Sequence, residues 1–336
     1  MRTCNRIFTT QTMPAGVSLL TRNGRFPSYC TGIIISILQL LRWLTVCICA
    51  VILMSRGSAA ETPSPPFRIG FSSSMFSDVN ENDARAAVKV WGQMIAKARN
   101  VPTNPTPLIF KNEDEVLRSL QEKKVDAVAV VMTEFARLHR KVSLAPIFLT
   151  SNAGVATERY ILLVRRDSSM KSLTRLRGRS LLFQKSPRSA LAPLWMDTLL
   201  AKQGYPAASR FAGQISQNTK LSNVILPVFF RRADACIVTR SGFDTMNALN
   251  PQLGKQLAVL AESPDMVPAV LTFRADYNPP FKEQLFAGIN ELKETPAGQQ
   301  VLIIFQSDDI KQHPWTSLNA ALKMIETHEK LPRRGK

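Results

Sequence analysis

The sequence predicts an α/β protein of two lobes, each built on a parallel-type sheet, with two hinge crossings between them. Three observations carry that expectation. Short apolar runs of strand length alternate with amphipathic helix spacings from Arg68 onward, the order that gives parallel sheets covered by helices. Runs such as 125–131 and 234–238 are nearly continuous in apolar residues, as strands covered on both faces are. The triplet Val125-Asp126-Ala127 returns as Ala233-Asp234-Ala235 at the equivalent place in a second α/β series, an internal echo of two lobes. Residues 61–155 and 260–336 are assigned to lobe one, 156–259 to lobe two, and 1–60 to a signal peptide or membrane anchor.

Composition bounds the function. The chain has 336 residues, 45% of them apolar, enough for a two-lobed body. Residues 32–54 are the most apolar segment, broken by Gln39 and Arg42. Behind Arg42, residues 43–54 form an uncharged core, and Gly57-Ser58-Ala59-Ala60 follow. That is the grammar of a secretory signal, with cleavage after Ala59 or Ala60. The leader exceeds the roughly 15–30 residues of an ordinary signal, so translation starts further downstream or the segment is retained as an anchor. Cys4, Cys30, Cys47 and Cys49 all precede that site; Cys236 alone follows it, so an exported chain has no internal disulfide. Cys236 lies in an apolar strand and reads as a small buried hydrophobe. Net charge is +18; without the first 60 residues, 37 basic face 25 acidic residues. A basic body suits an anionic ligand or surface, and solubility charge alone accounts for it equally. No basic run interleaved with aromatics points to nucleic acid.

In lobe one, Arg68-Ile69-Gly70-Phe71 is a first strand. Ser72, Ser73 and Ser74 open a polar loop. Ala84, Ala87, Val88, Trp91, Ile95 and Ala98 then recur at helical spacing. The serines read either as hydroxyls and amides presented to an anion or as helix-capping residues facing solvent. Leu108 to Phe110 is a second strand. Asn112 and Glu115 form a capping box ahead of a helix buried through Val116, Leu117 and Leu120. After the strand at 125–131, Thr133 is placed as the cap of a short helix with Phe135 and Leu138 inward. Ligands of such sheets bind beyond the C-terminal ends of strands, where Thr133 and Glu134 stand.

The first crossing falls between Thr150 and Arg159. Residues 160–164 make a strand, 173–177 one or two helical turns stopped at Gly178, and 180–183 another strand. Lys185-Ser186-Pro187-Arg188-Ser189 then lies where a strand ends and a helix begins. Backbone N–H groups and the positive end of a helix dipole make that place suited to an anion. The helix holds Leu191, Leu194, Trp195, Thr198 and Leu199, with Pro193 tolerated in its first turn. Residues 221–230 form a helix kinked at Pro227, and the strand 234–238 ends at Thr239-Arg240-Ser241. The chain returns through 257–260 to a strand at 267–273. Helices follow from Pro279-Pro280 and over 298–305. A last helix ending near Glu329 is expected to close onto lobe one.

These segments carry a resemblance. Arg68-Ile69-Gly70, Asp126-Ala127 with Thr133-Glu134-Phe135, the stretches 160–167 and 173–178, Asp234-Ala235 and Thr295-Pro296-Ala297-Gly298 are similar to periplasmic solute-binding proteins of phosphate/phosphite/phosphonate ABC transporters. The resemblance implies the type II periplasmic-binding-protein fold, closing on a ligand between its lobes. It implies no cofactor and no metal, a monomer, and an ABC-type permease as partner. That family holds the oxyanion with a Ser-Thr-Ser-Gly loop. Here Ser186 and Ser189 remain, the glycine is absent and Arg188 is added, which either pairs with a carboxylate or phosphate or lies at the surface. The family's polar or acidic residue after the Asp-Ala strand corresponds to Thr239 and Arg240. The implied site is therefore Ser72, Ser73, Ser74, Thr133 and Glu134 of lobe one with Ser186, Arg188, Ser189, Thr239 and Arg240 of lobe two.

The sequence argues against catalysis. His139, His313 and His328 are scattered without metal-ligand spacing, and no GxxxxGK[ST], GxGxxG or Gly-x-Ser-x-Gly pattern occurs. The expected function is capture of a small anion, phosphate, phosphonate or a related oxyanion, outside the cytoplasm for an ABC transporter. The alternative is the same body tethered by residues 32–54 as a sensing or interaction module of a signalling or envelope system.

Overall fold

The computed structural model describes residues 65–332 apart from Asp78 and Pro105. The signal, cleavage-site and anchor readings on residues 1–60 lie outside the described residues. In chain order the elements are β1 (Ile69–Ser72), α1 (Glu81–Arg99), β2 (Leu108–Phe110), α2 (Glu113–Gln121), β3 (Ala127–Val131), α3 (Met132–Leu138) and β4 (Leu144–Ser151). Next come β5 (Tyr160–Arg165), β6 (Ser180–Gln184), α4 (Ala192–Ala201), α5 (Ala208–Phe211), β7 (Gln214–Asn218), α6 (Ser222–Phe229), β8 (Ala235–Thr239), α7 (Arg240–Leu249), α8 (Gln252–Gln256) and β9 (Leu257–Glu262). The chain ends with β10 (Ala269–Arg274), α9 (Lys282–Asn290), α10 (Pro296–Ile304), β11 (Asp309–His313) and α11 (Asn319–Glu329).

Two sheets result, ordered β11-β4-β10-β3-β1-β2 and β7-β6-β8-β5-β9. Three strands of each are parallel, β2-β1-β3 and β7-β6-β8, as the alternating pattern predicts. The others pair antiparallel: β10 with β3 and β4, β11 with β4, and β5 with β8 and β9. The reason is connectivity. β5 and β10 each enter their sheet from the other lobe and are not delivered by a crossover helix, so nothing compels them to run parallel to their neighbours.

The internal echo has a physical basis. Ile69 pairs with Ala127 in one sheet and Leu181 with Ala235 in the other. One residue earlier, Asp126 Oδ2 accepts the Arg68 N–H at 2.9 Å and Asp234 Oδ2 accepts the Ser180 N–H at 2.9 Å. Each acid gives a backbone donor at the opening edge of a strand its acceptor. Asp126 also takes the Arg68 guanidinium through Nε at 3.0 Å and Nη2 at 2.8 Å.

Strand periodicity sorts the core. Along β5, Ile161 and Leu163 join one buried cluster with Val224 and Val238, while Tyr160, Leu162 and Val164 join another on the opposite face. That second cluster continues into lobe one through Phe135, Val128 and Leu120, and it includes Leu318, Ala321 and Ile325. The last helix therefore does not close on lobe one alone: α11 packs against both α3 and α4. Glu329 receives Arg140 of lobe one at 2.9 and 3.1 Å, and His328 meets Asp197 of α4 at 3.2 Å. A third cluster, with Phe71, Trp91, Phe148, Phe273 and Val301, lies between the lobe-one sheet and α1, α9 and α10. Among the described residues no helix is long and apolar enough to cross a membrane.

Candidate functional site

The C-terminal ends of β1, β3, β6 and β8 carry the candidate residues, the usual position for ligands of parallel sheets. A 3₁₀ turn, Ser73–Phe76, follows β1, and another, Pro187–Ser189, follows β6. These two turns, one from each lobe, face one another. Ala190, just past the second, packs against the lobe-one core.

On the lobe-one side, Ser72 is 1% exposed. Its Oγ accepts the Ser74 N–H at 3.2 Å, capping the turn, and donates to Glu134 Oε1 at 2.8 Å. Ser74 Oγ donates to the same oxygen at 2.7 Å. Ser72 thus caps the turn, as one reading of these serines expects, while the Ser72 and Ser74 hydroxyls are given to Glu134. Glu134 Oε2 is buried and has no hydrogen-bond partner among the described residues. Ser73 does not join this group; its Oγ donates to the Lys111 carbonyl at 3.3 Å. Thr133 is not the cap of α3. The helix starts directly from the end of β3, with Val131 as its N-cap and no side-chain cap bond. No loop intervenes, so Thr133 is already inside the first turn.

On the lobe-two side, the loop closes on itself. Ser186 N–H donates to Ser189 Oγ at 2.9 Å, and Ser189 Oγ donates to the Gln184 carbonyl at 2.8 Å. The Ser189 and Ala190 amides go to the Ser186 and Pro187 carbonyls at 3.1 and 3.3 Å. The sequence places open amides here; the interposed 3₁₀ turn satisfies several of them internally. Ser186 and Ser189 are both buried, with their oxygens 3.0 Å apart.

Arg188 turns from these serines to Glu158, which is 2% exposed. Its Nε donates to Glu158 Oε1 at 2.6 Å, Nη2 reaches the same carboxylate, and Nη1 donates to the Gln306 carbonyl at 3.1 Å. Ser241 Oγ approaches both Glu158 oxygens, at 3.0 and 2.8 Å. The Tyr160 phenol donates to the Arg188 carbonyl at 3.1 Å. Burial, then the nearby Glu158 charge, raises the Tyr160 pKa far above the ordinary phenol range, so it stays a neutral donor. Thr239 caps α7, its Oγ1 accepting the Gly242 N–H at 3.2 Å. Arg240 pairs with Asp244 and Glu262, the latter shared with Arg159.

The structure thus gathers Ser72, Ser74 and Glu134 in one group, Ser186 and Ser189 in a second, and Arg188 with Glu158 and Ser241 in a third. Glu158, Ser241 and the Tyr160 hydroxyl escape the sequence reading. One signal was present: Glu158 is an acid in the crossing, two residues before the buried run 160–164. No group of three or more potential ligands for a metal ion occurs among the described residues.

A family model described as "ABC transporter, phosphonate, periplasmic substrate-binding protein" matches residues 74–313. No curated protein sequence matches the chain. Several solved structures share the fold. XAC2383 from Xanthomonas citri, bound to ATP, superposes with TM-score 0.59 at 18% identity over 79% of this chain and 98% of that one. A binding protein component of an ABC phosphonate transporter from Pseudomonas aeruginosa gives 0.55 at 14% over 79% and 87%. PhnD1 from Prochlorococcus marinus in complex with methylphosphonate gives 0.55 at 13% over 79% and 98%. At these identities the likeness establishes the architecture, the type II periplasmic-binding-protein fold.

Proposed function

Because the chain belongs to the family of periplasmic substrate-binding proteins of phosphonate ABC transporters, we propose that it captures a small phosphonate-class oxyanion between its lobes and delivers it to a membrane permease. The observation that carries this reading is the facing pair of serine turns, one after β1 and one after β6. Capture is a closure of residues 156–259 against the rest of the chain around hydrogen-bond donors, with no covalent step. One chain supplies both lobes, so a monomer is sufficient.

Glu134 sets the chemistry of the ligand. Ser72 and Ser74 both donate to its Oε1, so this pair of hydroxyls is arranged for a charged oxygen. An arriving oxyanion shares or takes over those donors. The unpartnered Oε2 then needs a donor from the ligand, which a P–OH or an ammonium group supplies. A fully ionised sulfate offers none and leaves two anions in contact.

Calorimetric and thermal-shift titrations with methylphosphonate, phosphite, phosphate, sulfate and amino acids test this. A ligand of the folded state at ~100 times its Kd adds about 2.7 kcal/mol of stability. We expect that shift with one or more phosphorus oxyanions and little with sulfate, and Glu134→Gln is expected to narrow the difference. Folded protein that responds to no oxyanion would overturn the reading.

A further inference from the structure

Beside the serine turns, lobe one contains a cavity of about 90 Å³. Phe71, Met75, Trp91, Phe148, Leu302 and Phe305 line it, all apolar. Protein interiors are close-packed and leave few voids larger than a water molecule. An apolar void stays dry and accepts hydrocarbon; an engineered one of roughly 150 Å³ holds benzene. By the same proportion this one has room for about three or four carbons.

Its boundary crosses the lobes. Nearly all the lining comes from lobe one, while Pro187 and Arg188 of the lobe-two turn complete it. Separating the lobes therefore removes that part of the wall, and closing them restores it. The polar and apolar sides also meet at a single turn. Ser72 and Ser74 hold Glu134, whereas Met75, the next residue, lines the cavity. Across the interface, Arg188 of the lining lies between Ser186 and Ser189.

We propose that this cavity receives the apolar substituent of the captured anion, so that the ligand is an alkyl- or small arylphosphonate with its head at the serine turns and its tail in lobe one. The proposal rests on the anion-capture reading above and extends it from head group to tail. The tail meets a wall that is mainly apolar, with Thr150, Arg188 and Gln306 as its polar members. Closure of the Pro187–Ser189 turn over the tail excludes water from it.

The test is a calorimetric titration of the full chain with methyl-, ethyl-, propyl-, butyl- and hexylphosphonate. Burial of each added methylene is expected to tighten binding about fourfold, levelling off after about four carbons when the cavity is full. Trp91 fluorescence should change more with butyl- than with methylphosphonate, since Trp91 forms part of the wall. Ala129→Leu, which fills the cavity from β3, is expected to flatten the series, with its thermal midpoint reporting whether the fold is kept. If methylphosphonate binds and affinity is flat or falls with chain length in the unaltered protein, the tail site is wrong and the anion reading stands. If none of the five binds, the head-group reading fails and the tail site with it.

Discussion

Glu158 and Arg188 form the most consequential pair of side chains near the cleft, with 2% and 14% side-chain exposure. Removing one partner of a buried ion pair typically costs about 3–5 kcal/mol, because the other charge is left without compensation. Glu158→Ala is therefore expected to lower stability in chemical denaturation by that order. The double replacement Glu158→Leu with Arg188→Met should recover much of the loss; a double variant as unstable as the single one would show that the pair is not coupled. His139 gives a pH test. Burial, followed by the neighbouring Arg140, lowers its pKa below the ordinary value. The unfolded chain thus binds a proton more readily, and the stability linked to the neutral ring is present above about pH 6.5 and lost as pH falls below it. Thermal midpoints at pH 7 and pH 5 should diverge less in His139→Phe than in the unaltered protein. Cys236 is wholly buried, which pushes its thiol well up from the ordinary range. Alkylating reagents are expected to leave it intact in native protein and to label it after denaturant, as peptide mapping can read. Arg188 was legible in the sequence as a cation of uncertain use. Its partner was not, because an ion pair between residues thirty positions apart leaves no local pattern.

At the level of elements, most strands and helices were legible because each one alternates, or runs apolar, at its own period. The positions that escaped are junctions. Thr133 reads as a cap by residue type, yet α3 follows β3 with no intervening loop and starts from Val131. The loop after β6 reads as open amides, yet it winds into a 3₁₀ turn whose serines bond one another. Local hydrogen bonds that compete with regular structure decide such places, and composition alone does not order them. Asn112 and Glu115 show the milder case: Asn112 accepts the Glu115 N–H at 3.0 Å as expected, but the Glu115 carboxylate returns to the Lys111 N–H at 2.9 Å, one residue further back. The paired aspartates make the two sheets testable side by side. Asp234→Ala removes the acceptor for the Ser180 N–H and hydroxyl. It should destabilise by about 1–3 kcal/mol, the usual cost of a stranded donor. Denaturant midpoints for Asp234→Asn and Asp234→Ala separate that cost from the loss of charge; equal midpoints for Asp234→Ala and the unaltered chain would remove the assignment.

For the whole molecule, the two-lobed plan was legible from the repeated Val-Asp-Ala and Ala-Asp-Ala triplets, and the structure shows why they repeat. What the sequence did not disclose is that α11 belongs to both lobes. Its buried residues Ala321 and Ile325, with Leu318 just ahead of it, sit in a cluster with Phe135 on one side and Trp195 on the other. Ile325→Ala is expected to cost about 2–5 kcal/mol, as large-to-small core changes do. Because the helix touches both lobes, the loss should appear as one cooperative transition by fluorescence and by circular dichroism. Two separated transitions would mean that α11 stabilises one lobe only. The same helix has a consequence for how the chain is made. Synthesis runs from the N-terminus, and the cluster shared by the lobes lacks its final piece until residues 318–325 have emerged. A nascent chain with that gap reaches its finished packing only once its C-terminal helix has been released.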